Sequence, residues 1–172
     1  LYQSKASNNA DEQKHFILAN YKDYGGARVN ENIEYYSSIV LDFDSYGKNY
    51  NYFKSEIGNL LAEINHIYYT TASHSFDNPR IRLIVFTSRT FTPDERTSIL
   101  NGLIKRFSND LAIAVDTHNA FTNNSLSRLP FKSPDFEIIH NEGEPYYIGE
   151  ELTAFNNDNI HDLTTIALQN EE

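Results

Sequence analysis

The chain has 172 residues, 40% of them hydrophobic, with 12 Tyr, 11 Phe and a formal net charge of −10. That length and apolar content exclude a disordered chain and fit one domain with a sizeable core, while the acidity speaks against a broad basic surface gripping duplex DNA by counterion release. With no cysteine and no long apolar run, disulfides, thiol nucleophiles, zinc knuckles and membrane spans are excluded, and a cytoplasmic location is expected.

The N-terminus, LYQSKASNNADEQKHF, lacks the apolar centre of a signal peptide. The absence of methionine, even at position 1, leads to the expectation of a piece of a longer protein. Residues 1–10 read as a polar tail, with a short helix near 11–20. SSIVLDFD (37–44), β-branched and apolar before a Ser-Tyr-Gly break, reads as a strand. In YFKSEIGNLLAEIN (52–65), Phe53, Ile57, Leu60, Leu61 and Ile64 fall on one helical face. HIYYTTAS (66–73) is β-branched and aromatic, hence a second strand, and PRIRLIVFTSR (79–89) is the strongest strand signal.

TPDERTSILNGLIKRF (92–107) opens a helix, with Thr92 as N-cap, Pro93 in the first turn and Glu95 completing a capping box. Its apolar stripe is Ile99, Leu100, Leu103, Ile104 and Phe107. LAIAVD (111–116), SRLPF (127–131) and FEIIH (136–140) read as further strands, and the polar segment after Gly149 as carrying a short helix near 158–168. The order β-α-β-β-α-β-β predicts an α+β fold, a mainly antiparallel sheet with helices on one face, RRM-like in outline.

Asp42 and Asp44 close an apolar run, and residues two apart on a strand share a face. Ionised carboxylates are costly to bury unless paired or metal-bound, so the pair is either a divalent-cation site, with Mg²⁺ or Mn²⁺ suited to oxygen ligands, or a turn-initiating cap. Asp116 repeats the pattern at the end of AIAVD. A third carboxylate there would complete a two-metal phosphoryl-transfer site, although taken alone the segment favours a strand-end Asp opening the turn DTHNA. Arg80 and Arg82 share a strand face, where two guanidiniums suit a triphosphate or form a solvated outer face. His74, beside Ser73, is a phosphate contact or a turn histidine bonded to backbone. Arg128, before Leu-Pro, reads a phosphate or pairs with Asp116. The Tyr/Asn-rich loop SYGKNYNYF could stack bases or simply pack.

Taken in order, these motifs resemble the archaeo-eukaryotic primase or primase-polymerase superfamily, in its phage and plasmid replication-protein branch. The family pattern is hydrophobic-Asp-hydrophobic-Asp, small-x-His, hydrophobic-Asp, here LDFD (Asp42, Asp44), ASH (Ala72, His74) and VD (Asp116). That branch also carries SH-S/T, R-x-R and SRL-x-LP, here SHSFDNPRIRLIVF and SRLPF, the latter lacking the residue between Leu and Pro. The resemblance spans residues 37–131.

It implies a catalytic primase-polymerase core at 37–149, between a helical or polar extension (1–36) and a polar segment (150–172) linking to a further domain such as a helicase. It also implies template-directed nucleotidyl transfer on single-stranded DNA, with nucleoside triphosphates as substrate and Mg²⁺ or Mn²⁺ as cofactor. By the same resemblance Asp42, Asp44 and Asp116 hold the metals, and Ser73, His74, Arg80, Arg82 and Arg128 contact the nucleotide.

Two alternatives stand beside this reading. IVLDFDS also looks like the nucleophile strand of haloacid-dehalogenase-type phosphatases, with Asp42 as nucleophile, Asp44 as acid/base and Thr87 binding phosphate. That family requires parallel βαβ architecture, whereas residues 68–86 read as a hairpin. The other alternative is a catalytically silent replication-origin or nucleic-acid-binding domain.

Overall fold

The computed structural model describes residues 15–22, 30–44, 47–71, 73–116, 126–128 and 136–149. The helix expected near 11–20 is corrected over residues 15–21, which form two short strands, β1 (His15–Ile17) and β2 (Ala19–Tyr21). HFILANY has no helical spacing of apolar residues. β2 instead satisfies its backbone by pairing antiparallel with Tyr35 and Tyr36 of β3 (Ile33–Phe43).

β3 begins before the expected residue 37 and alternates cleanly over its second half. Ile39, Leu41 and Phe43 are at most 1% exposed and face the core, leaving Val40 and Asp42 on the opposite face. Gly47, at φ +87°, lets the chain reverse into α1 (Tyr50–Leu60), whose N-cap Asn49 accepts the Tyr52 N–H at 3.2 Å. Phe53, Ile57 and the following Leu61 drop from this helix onto the core.

The chain continues through β4 (His66–Thr70), β5 (Ile81–Phe91) and α2 (Pro93–Ile104). α2 buries Ile99, Leu100 and Leu103 in the same cluster as α1, so both helices cover one face of the sheet. The Glu95 carboxylate reaches back to the Thr92 N–H at 2.9 Å, as the capping-box motif requires.

The sheet order is β2-β3-β5-β4-β7, with β7 at Ile138–Asn141 and every neighbouring pair antiparallel. β3 and β4 are parallel to each other, joined through α1, and β5 fills the gap between them. The expected α+β, RRM-like arrangement is therefore the observed one. β6 (Leu126–Arg128) pairs with β1 in a separate two-stranded sheet. The expected polar tail (1–10), the C-terminal segment 150–172 with its helix, and Ala72 lie outside the described residues. Among the described residues no helix is long and apolar enough to cross a membrane.

LAIAVD is the second correction. Residues Asn109–Ile113 form α3, whose N-cap Ser108 accepts the Leu111 N–H at 3.3 Å and donates to Glu56 at 2.7 Å. The Ser-Asn-Asp start is helix-capping chemistry, and it overrides the strand-like appearance of the apolar residues. Only Val115 pairs as a strand residue, in an isolated antiparallel bridge to Phe43.

His66 is 1% exposed in β4, donating from Nδ1 to the Ile64 carbonyl at 2.8 Å. Burial lowers its pKa below 6.5, with the Ile64 bond opposing that shift and His140 adding to it. The folded state thus binds this proton less readily than the unfolded chain, and the stability present above 6.5 drains away as pH falls towards the depressed folded value. Urea midpoints are expected to fall between about pH 7 and about pH 5, and His66→Gln to flatten that fall. An unchanged slope in the variant would assign the effect to other groups.

Candidate functional site

β3 ends, β4 ends and β5 begins at one rim of the sheet, and this brings the chemistry-bearing residues together. In the β3–β5 register Asp42 lies directly opposite Arg82 and Phe43 opposite Ile81. Because i and i+2 share a face, Asp44 meets Arg80 on the same side. The Arg82 fork closes on Asp42, Nε to Oδ1 at 2.5 Å and Nη2 to Oδ2 at 2.7 Å. Arg80 donates from Nη1 to Oδ1 of Asp44 at 3.1 Å.

The two pairs differ in environment. The Arg82 and Asp42 side chains are 14% and 15% exposed, whereas Arg80 and Asp44 are 38% and 46% exposed. Burial works against the Arg82 charge, but the bonds from Asp42 and from Tyr69 outweigh it and hold the guanidinium firmly protonated. Tyr69, opposite Arg82 in the β4–β5 register and 2% exposed, extends the chain of contacts into a Tyr69–Arg82–Asp42 row across three strands.

Asp116 joins this rim through the backbone. The Asp116 N–H donates to the Asp42 carbonyl at 2.8 Å and the Asp44 N–H to the Ala114 carbonyl at 3.0 Å, on either side of the Phe43–Val115 bridge. The segment 114–116 therefore runs along the free edge of β3, and α2 and α3 return the chain to it. Asp44 feels the other two acids. Burial raises the Asp44 carboxyl above its ordinary value, Arg80 opposes this, and Asp116 and Asp42 push it further up.

His74 follows β4 in the loop that leads to β5. Its Nδ1 accepts the Arg80 N–H at 3.1 Å, so the neutral ring carries its proton on Nε2, and Tyr50 meets it edge-on at 4.7 Å. Ser73 is exposed beside it. Near the same rim Lys54 bonds Glu137 at 2.9 and 3.2 Å. Burial tends to raise the Glu137 carboxyl, but Lys54, with His74 contributing, brings it below its ordinary value.

Asp42, Asp44, Asp116, His74, Arg80 and Arg82 thus come to one rim. The Arg128 side chain lies outside the described residues, and its backbone pairs with His15 in the smaller sheet. The arginines meet the acids themselves, a pairing across strands that reading each segment separately does not reveal. Tyr69, Lys54 and Glu137 were also missed. The only signal for Tyr69 is its place in an apolar strand, and its partner is set by register.

Oxygen donors suit Mg²⁺ or Mn²⁺, and Asp44 and Asp116, whose backbones meet at the end of β3, are the acids that could hold such an ion. Both Asp42 oxygens are already committed to Arg82. Among the described residues no three His, Asp or Glu side chains form a ready metal cage.

A family model, the VapE N-terminal domain, matches residues 5–161. The chain belongs to that family. The VapE N-terminal domain family is associated with phage and plasmid replication. No curated protein and no solved structure matches this member significantly. The match begins ahead of β1 and runs past β7, so in this VapE N-terminal domain the rim acids and the flanking strands belong to one family unit.

Proposed function

We propose that this domain is a template-directed nucleotidyltransferase of a phage or plasmid replication protein, acting on nucleoside triphosphates along single-stranded DNA. The observation that supports it is the return of segment 114–116 to the end of β3, which sets Asp116 beside Asp42 and Asp44. In the reaction a 3′-hydroxyl attacks the α-phosphorus, a new P–O bond forms, and pyrophosphate leaves. Divalent cations, held by Asp44 and Asp116 with Asp42 behind them, would supply charge stabilisation for the attacking and leaving oxygens.

The chain's own residues divide the remaining work. Arg82, whose Nε and Nη2 both go to Asp42, acts first by positioning the Asp42 carboxylate. Arg80 is in an exposed pair worth at most about 1 kcal/mol, so it can exchange Asp44 for a phosphate oxygen. His74 contributes an Nε2–H donor of the right kind for a second phosphate oxygen.

The test uses the intact chain, a single-stranded template, labelled nucleotides and Mn²⁺ or Mg²⁺. Labelled oligomers are expected, with Asp44→Asn and Asp116→Asn each lowering incorporation by about a hundredfold or more. Absence of any oligomer, or full activity in both variants, removes the catalytic reading.

A second reading, a catalytically silent nucleic-acid-binding domain, is favoured by the mutual neutralisation of Asp42 with Arg82 and Asp44 with Arg80. It predicts retention of single-stranded oligonucleotides with no incorporation. The phosphatase alternative has no support, because β3 runs antiparallel to both β2 and β5.

A further inference from the structure

We propose that Phe76 is a stacking platform for a nucleobase, an inference that rests on the nucleotide-handling reading above. Among the described residues Phe76 is the exposed phenylalanine, at 50%, while Phe43, Phe53, Phe91 and Phe107 are buried. It sits at the tip of a tight turn. The Ser75 N–H donates to the Asn78 carbonyl at 3.1 Å, and the Asn78 N–H returns to the Ser75 carbonyl and hydroxyl, both at 3.2 Å. Turn tips select Gly, Pro, Asn, Asp and Ser for their backbone and hydrogen-bonding properties, and a phenyl ring serves none of these.

Nor is the ring on a loose loop. The Phe76 carbonyl accepts the Tyr50 N–H at 2.8 Å, tying the turn to the start of α1. Below it, the Thr71 N–H bonds the Arg80 carbonyl at 2.9 Å, the Arg80 N–H bonds His74 Nδ1 at 3.1 Å, and Pro79 is buried. A rigid mount holds an apolar ring in water, so the ordering cost of a stacked complex is already met by the fold. One short stretch therefore carries an imidazole donor (His74), an aromatic plane (Phe76) and a guanidinium (Arg80) beside Asp44. Those are the parts that recognise a base and its phosphates. The base belongs either to the incoming nucleoside triphosphate or to single-stranded template.

The chain has no Trp, so Phe76→Trp places a single indole reporter at the turn tip. Two probes separate the sources, dATP and a short oligothymidylate, each with its abasic counterpart. Quenching of the indole emission by one base-containing probe, and none by its abasic counterpart, is expected and identifies the source. Phe76→Ala is expected to weaken that probe about five- to 150-fold, and Phe76→Tyr to restore it. Unchanged indole emission with both probes, wild-type affinity in Phe76→Ala, or no binding of either probe to the wild-type chain overturns the inference. Oligomer synthesis with a silent indole leaves the catalytic reading standing and removes this one. Quenching without synthesis does the reverse.

Discussion

Arg82→Met is expected to lose about 3–5 kcal/mol of stability, a drop of roughly 6–20 °C in melting temperature for a chain of this length. The large size comes from what is left behind. Asp42 is only 15% exposed and both its oxygens are held by the guanidinium, so the variant strands a carboxylate in an environment that solvates it poorly. The same substitution at Arg80, whose pair is half-exposed, is expected to cost no more than about 1 kcal/mol. A cycle adding Asp42→Leu to Arg82→Met tests the cause, since removing the stranded charge should recover at least half of the loss. If the double variant melts no higher than Arg82→Met alone, the burial of an unpaired charge is the wrong explanation.

Phe43→Ala is the other large effect, about 3–5 kcal/mol from lost burial and the cavity left behind. The ring is fully buried, edge-on to Phe53 at 5.8 Å and tilted against Phe107 at the same distance. Unlike other core substitutions, this one also reaches the rim, because the Phe43 backbone bridges Val115 between the two bonds that tether Asp116. Leu61→Ala is the control, equally buried but with no part in that bridge. Amide exchange at Asp116 is expected to accelerate in Phe43→Ala well beyond Leu61→Ala when the two are compared at matched stability. Equal exchange would detach the core ring from the site.

β5 and α2 are legible in the sequence because their signals are local: a dense β-branched run, and a Thr-Pro-x-Glu start before a 3.6-residue stripe. α3 is not, because the apolar residues in LAIAVD mimic a strand while the deciding residue, Ser108, stands outside that run. The rim acids can be picked out because each closes an apolar segment. What they touch cannot, since Asp42 meets Arg82 across 40 residues and the meeting depends on the antiparallel register of β3 with β5. A same-face pair of arginines and a same-face pair of acids are visible separately. Their opposition is a property of the sheet. Tyr69 behind Arg82 is hidden for the same reason.

The Asp42–Asp116 backbone bond closes a loop of roughly seventy residues, a contact whose closing entropy is recovered only after the intervening elements have packed. Asp116 is thereby kept away from the Asp42/Asp44 pair until the fold that holds all three exists. A nascent or partly folded chain does not yet gather all three at one point. The assembled rim is accordingly tied to completed folding, and a nick or a large insertion between β3 and residue 114 would be felt there before it was felt in the hairpin of β4 and β5.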